Sequence, residues 1–476
     1  MEAATATVGS LPDVSAARPQ SLFEQSVRQM LSARLAGLGS TAPHWETELR
    51  RTAVARLDTV GMPNTRHEAW KYINMVPVLN HQVGSADTTQ ATQWQAAVQD
   101  VLGPLAQGPV WWVLDGVPLT PPPVTDTTSE YPLGLVFSDF ATAAANGGWP
   151  ADVLRVHAGQ SLRDGATDAS QDAMALLNGG LYDNGWLVTI PDNMAVACPI
   201  TVVCVTTAKA DAGRARPFIN TRGLVHLESG AKATMRVVWV DLSPQEDKPA
   251  SFAALHNTAI EVALHPGAQL TLSLHQHNPQ TGVAHFVHTD ANLQRESCLT
   301  LNTLALSGAL TRFAAGVQYI EPQAQCILNG LSLLTGQTQT HHHTRVVHRL
   351  PACQTDQMYR GMALDQTRLE FDGTIHVDPD AQQTQAVQVN NNLLLSEQAR
   401  VWSRPQLKID ADDVKCAHGA TVGQLDETAL FYCRSRGLGP EDARRLLLQG
   451  FAGAVLSRVE DTALVARVYE HLKAIL

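Results

Sequence analysis

Apolar positions recur at helical spacing at both ends of this chain and at a spacing of two through its middle, which predicts a strand-rich body between two helical segments. Leu22, Phe23, Val27, Met30, Leu31 and Leu35 mark a first helix. A second, over residues 44–59, stops at Gly61 with Pro63 beyond it. Residues 90–107 predict a third helix, and Pro121-Pro122-Pro123 a loop. From about Leu177 the period changes. Residues 223–240, 259–275 and 299–306 alternate apolar with polar or small side chains, as half-buried strands do.

Turn-like tetrads punctuate that middle region, each preceded by an aliphatic residue and closed by alanine. They are Leu227-Glu-Ser-Gly-Ala231, Leu264-His-Pro-Gly-Ala268, Ile320-Glu-Pro-Gln-Ala324, Val377-Asp-Pro-Asp-Ala381 and Leu395-Ser-Glu-Gln-Ala399. Their alanines lie 37, 56, 57 and 18 residues apart, near multiples of about nineteen. A small residue at each corner lets coils stack closely, so a solenoid is expected, interrupted by insertions such as residues 243–251. Its crossovers make it a right-handed parallel β-helix. Asn390-Asn391-Asn392 fits a side-chain ladder or a turn within it.

After Asp410 helical spacing returns. Asp426 or Thr428 could cap a helix carrying Leu430 and Phe431 and stopping at Gly437. Pro440 opens the next, whose stripe includes Leu446, Leu447, Phe451, Val455 and Leu456; a last helix covers residues 461–475. The expected organisation is a flexible tail (1–19), a mainly helical N-terminal domain (20–176), the β-helix core (177–412) and a C-terminal helical domain (413–476). The fold class is mainly β. The terminal helices could cap the solenoid or offer a docking face.

Composition narrows the chemistry. A formal charge of −11 without a basic block argues against nucleic acid as a partner. No stretch is long and apolar enough for a membrane span, and no targeting segment is visible, so a cytoplasmic protein is expected. Aromatics make up only 5% of residues, which suits closely stacked strands. Seven scattered cysteines with no Cys-x-x-Cys pair argue against a disulfide framework and against a permanently held cluster or structural zinc. The P-loop and Gly-x-Ser-x-Gly motifs are both missing.

Cys416 and His418 are the strongest candidates for chemistry. In a strand, residues two apart share a face, so thiol and imidazole would lie together. A charged imidazole can lower a neighbouring thiol's pKa; both groups can bind iron, and the thiol could carry sulfur transiently. His341-His342-His343 reads as an exposed turn, because adjacent histidines in a strand point to opposite faces and cannot chelate one ion. Lys71 lies between Trp70 and Tyr72, with Arg66 and Glu68 close by; this cluster reads as an aromatic anchor docking the helical domain onto the body.

Several of these motifs, in order, resemble the SufB/SufD family of iron–sulfur cluster assembly proteins, on its SufD side. Arg66-His-Glu-Ala-Trp-Lys-Tyr72 is similar to the family's Glu-x-Trp-Lys-Tyr motif. Leu177-Asn-Gly-Gly-Leu-Tyr-Asp-Asn-Gly185, Phe371-Asp-Gly-Thr-Ile-His-Val377 and Gln388-Val-Asn-Asn-Asn-Leu-Leu-Leu-Ser396 follow, and residues 415–437 close the series. Gly419 stands where SufB carries a glutamate, and Val422-Gly-Gln424 also sides with SufD. The resemblance implies a non-enzymatic scaffold of a SufBCD complex, paired with SufB through β-helix edges. It implies that the ATPase SufC docks on the C-terminal helices, at Leu430, Phe431, Leu447 and Phe451. No cofactor would be held permanently. A transient cluster would form at the SufB interface, with His418 as a transient metal ligand and Cys416 beside it. An isolated chain could pair with itself. The competing expectation is a β-helix carbohydrate-active enzyme, a lyase or hydrolase, using the aspartates at 378, 380, 410, 412 and 413.

Overall fold

The computed structural model describes residues 20–39, 42–86, 94, 98, 102–106, 108–119, 134–163, 168–207, 215–242, 252–277, 282–306 and 308–475. The predicted tail, the Pro121–Pro123 loop, the insertion at 243–251 and most of the helix at 90–107 lie outside them.

Two ten-stranded sheets form the body. One contains β5 (Gly185–Ile190), β7 (Arg216–Leu227), β9 (Ala254–Leu264), β11 (Val283–Leu293), β13 (Leu310–Tyr319), β15 (Gln339–His348), β17 (Arg368–Val377) and β19 (Arg400–Ile409). The other contains β6 (Ile200–Thr206), β8 (Lys232–Asp241), β10 (Gln269–His277), β12 (Cys298–Ala305), β14 (Gln325–Leu334), β16 (Gln354–Ala363), β18 (Gln385–Leu394) and β20 (Lys415–Gly423). Successive strands alternate between the sheets, and every strand pairs in parallel with the one two places on. This is a parallel β-solenoid with two strands per coil. Short β1 (Val83–Gly84), β2 (Val110–Leu114), β3 (Val117–Pro118) and β4 (Val136–Asp139) extend the first coils from the N-terminal side; β4 joins β5 antiparallel.

The alanine corners are buried as predicted, but the period is not nineteen. Gln269 pairs with Cys298, Cys298 with Gln325 and Gln325 with Gln354, so these coils take 29, 27 and 29 residues. The intervals of 56 and 57 each span two coils. The intervening corners are filled by Ser297 and Cys353, both buried and small, which the alanine pattern passed over. Ala399 belongs to the opposite corner, immediately before β19.

Most strands are buried on both faces rather than half-buried. Inside the coil, Val225, Ile260, Leu272, Leu301, Phe313, Leu328 and Phe371 belong to one continuous apolar column. Outside, α1 (Leu22–Ala36), α2 (His44–Val60), α3 (Val76–Leu79), α4 (Phe140–Asn146), α5 (Gly148–His157) and α6 (Ala173–Leu181) belong to an N-terminal layer. Phe23, Val27, Leu57 and Leu177 from that layer pack with Leu224, Leu255 and Phe286 of the first sheet. Buried amides and ion pairs join it to the sheet. Asn178 Nδ2 donates to the carbonyls of Thr221 and Asn257, Arg222 pairs with Glu261 at 2.6 Å, and Arg312 pairs with Asp172 at 2.7 Å. Burying these charges is tolerable only because each is matched.

The aromatic anchor reading holds. Trp70 is buried beneath the Arg312 guanidinium, 4.4 Å from its ring centre, and near Phe286. Tyr72 stacks on Trp402 at 5.2 Å, and Arg404 bonds both Glu68 and Asp372. The start of the chain therefore clasps the last coil.

The histidine run is not an exposed turn. His341, His342 and His343 are buried in β15. His342 points inward, stacked on Phe313; His341 points outward to Glu370 at 2.7 Å, and His343 contacts the same carboxylate. The N-terminal segment covers them, with the Asn74 amide donating to Gln339. Hydrogen bonds from both imidazoles hold the Glu370 carboxyl well below the usual carboxylate range against the opposing effect of burial, the largest influence on it. The asparagine run does bond along and between coils: Asn392 to Asn390, and Asn390 to the Tyr359 carbonyl.

Close packing of the column predicts a sharp contrast between two glycines. A Cβ at Gly330 would lie 2.1 Å from the Tyr359 ring, whereas one at Gly419 would meet nothing within 4 Å. Gly330→Ala is expected to cost about 1–3 kcal/mol in urea denaturation, and Gly419→Ala to stay within about 0.5 kcal/mol of the parent.

Candidate functional site

The last coil has no successor. β19 and β20 end their sheets, so each presents a row of backbone donors and acceptors on its outer edge. Burial falls along the same direction: β18 still alternates buried and exposed, β19 is half-buried, and β20 is almost wholly exposed. Strand pairing runs past Asp412, the expected end of the core, because the helix cap comes only at Asp426, whose side chain accepts from the Thr428 amide.

Cys416 and His418 both lie on β20, opposite Ala386 and Gln388 of β18. Ala386 and Gln388 are buried inward-facing residues, so register places the thiol and the imidazole on the interior side, at the mouth of the coil. Below them the lumen is polar: Gln388 Nε2 donates to Gln357 Oε1 at 3.2 Å. Across the mouth, β19 brings Ser403, whose hydroxyl donates to Asn390 at 2.6 Å, and Leu407, which packs on the core with Cys416. His418 is exposed and Cys416 half-buried. A ligand here would be held from one side only.

Partial burial pushes the Cys416 thiol above its ordinary pKa, opposed in part by a hydrogen bond from the Ala386 backbone. That direction leaves less thiolate at neutral pH than an ordinary cysteine has.

The other predicted residues lie on the C-terminal helices α7 (Glu427–Ser435), α8 (Pro440–Leu456) and α9 (Thr462–Ile475). Phe431 is 72% exposed, with Tyr432 and Leu446 also bare at 59% and 50%. Leu430 and Leu447 are half-buried. Phe451 is engaged already: its ring lies under Arg360, and its carbonyl accepts from the same guanidinium. Leu448, Ala452, Val455, Val468 and Leu472 pack on Leu304, Leu331 and Met362 of the second sheet. The terminal helices thus cover the solenoid wall and keep an apolar edge free. Gln388 and Ser403 complete the mouth, and sequence reading missed their place there. Their only signal was register with β17 and β18, which periodicity alone does not supply.

The SufBD core domain of the SUF system for FeS cluster assembly matches residues 208–451, just over half of the chain. The chain belongs to the SufBD family. It is 27% identical over 421 residues to an iron–sulfur cluster assembly SufBD family protein of Synechocystis sp., covering 88% of each. Similarity to the iron–sulfur cluster assembly protein SufD of Escherichia coli is 26% over 415 residues, covering 86% of this chain and 88% of that one. The Bacillus subtilis SufD is 23% identical over 430 residues, with 88% and 91% covered. This SufBD chain is of the SufD type, a protein of iron–sulfur cluster assembly. Among the described residues, no helix is long and apolar enough to cross a membrane.

A raised thiol pKa has a direct readout. Alkylation of Cys416 by iodoacetamide, followed by peptide mapping, should be slower at neutral pH than for a free thiol, and its rate should still be rising above about pH 8.5. A rate that levels off near pH 7 would show an activated thiolate.

Proposed function

We propose that this chain is a non-enzymatic scaffold of a cytoplasmic SufBCD complex, whose uncapped coil is completed by SufB. The observation that carries the reading is the place of Cys416 and His418, on the final rung of an open-ended solenoid. A second solenoid adding its own edge strands would satisfy the free backbone groups of β19 and β20. It would also close the mouth over the thiol and imidazole, removing water and supplying the missing ligands. The nascent iron–sulfur cluster is cargo in this scheme. His418 offers an imidazole nitrogen and Cys416 a thiolate once a bound metal lowers its pKa. The same edge explains how an isolated chain could pair with itself around a two-fold axis.

SufC would dock on the exposed apolar edge of Phe431 and its neighbours, with Leu430 and Leu447 at the border. ATP-driven movement there would be transmitted through α8, which is packed along the solenoid wall, to the strands behind it. The family match favours this scaffold over a carbohydrate-active enzyme.

His418 is exposed, so His418→Ala should fold normally. It should lower cluster yield in the reconstituted complex by about tenfold or more, read from anaerobic absorbance; an unchanged yield would remove His418 from the site. Deleting the terminal helices would strip the solenoid wall, so a point change is the cleaner test of SufC docking. Phe431→Asp should weaken SufC binding by about 2 kcal/mol, roughly thirtyfold, in calorimetric titration. Unaltered affinity would place the docking face elsewhere.

A further inference from the structure

Far from the open coil, three histidines from separate elements converge where the N-terminal layer meets the first sheet. His157 ends α5, His226 lies on β7, and His265 occupies the corner after β9. Their ring centres are 4.8–5.8 Å apart, and one ring nitrogen from each falls within 4.8 Å of the others. We propose that His157, His226 and His265 bind a late first-row divalent transition-metal ion of the zinc class, tying α5 to the solenoid corner.

The tautomers argue for it. His265 Nδ1 lies 3.3 Å from Glu228 Oε2, placed to donate its N–H to the carboxylate, the tautomer that leaves the Nε2 lone pair facing inward. That nitrogen accepts from His226 Nε2–H at 3.1 Å, a proton that a bound metal would displace. Two nitrogens on a tetrahedral zinc stand about 3.3 Å apart, given Zn–N bonds of about 2.0–2.1 Å. His226 and His265 are therefore at ligand spacing already. His157 offers a ring nitrogen within 4.8 Å of both, and its Nδ1 is buried without a hydrogen-bond partner among the described residues.

Glu228 acts as the outer carboxylate that commonly orients a ligating imidazole. It is itself fixed by Trp149, whose indole N–H donates to Oε1 at 3.0 Å. His265 and Glu228 retain 25% and 23% exposure, which gives an ion a way in and a water a place as fourth ligand. Three imidazoles with a carboxylate behind them suit Zn²⁺, Co²⁺ or Ni²⁺ better than Mg²⁺ or Ca²⁺, which prefer oxygen donors.

The test uses the full chain carrying Cys416→Ser and His418→Ala, so that the assembly-site pair contributes nothing. After chelator treatment and dialysis, Co²⁺ is added anaerobically and followed by visible absorption, and Zn²⁺ by calorimetry. One equivalent of Co²⁺ should bind with tetrahedral d–d bands and no near-ultraviolet thiolate charge transfer. His226→Gln and His265→Gln should each weaken Zn²⁺ binding by about a hundredfold or more, and Glu228→Gln by about 10–100-fold. If His226→Gln fails to fold, the more exposed His265→Gln carries the test. No binding at this stoichiometry, a thiolate band, or Zn²⁺ affinity unchanged in His265→Gln would overturn the proposal.

Discussion

Every coil of this solenoid is held by the backbone hydrogen bonds it shares with the coil before and the coil after. That dependence sets the rest of the structure. Because the bonds run between coils, side chains inside must stack in register, which explains the small buried residues Ala231, Ala268, Ser297, Ala324 and Cys353 at one corner. It also explains why polar residues inside form columns, with Asn329 bonded to Asn302 and Gln388 to Gln357. A buried amide is inexpensive when the next coil supplies its partner. The same rule leaves the final coil incomplete, since among the described residues no strand supplies the next rung.

The helical segments manage the walls and leave that end bare. The N-terminal layer covers the outer face of the first sheet through matched ion pairs and apolar contacts, and the terminal helices cover part of the second. Both sheets are consequently buried on two faces over the early coils, as parallel sheets usually are. Chemistry-bearing side chains then stand where burial runs out. Cys416 and His418 share that zone with an open backbone edge, so closing one closes the other.

Much of this was legible in the residues. Period two marked the solenoid, and helical spacing marked α1, α2 and the terminal helices. The tetrads located real corners. Their period was misread because serine and cysteine fill alternate corners as well as alanine does; size is the constraint, and the sequence pattern tracked identity. His341 and His343 were misplaced for a related reason. Alternation along a strand tells which side chains share a face, but not that a segment some 270 residues earlier covers the outer one. Spacing and context singled out Cys416 and His418 as candidates, while their position on the mouth needed the register with Ala386 and Gln388. Nothing in the linear order connects positions 157, 226 and 265.

The clasp between residues 66–72 and the last coil has a consequence for biosynthesis. Glu68 and Arg404 are separated by 336 positions, so their contact waits until most of the chain has left the ribosome. Earlier coils can pair as they emerge, each on the one already made, whereas the terminal coil gains its brace last. A truncated product would therefore keep a stacked body and lack a firm rim.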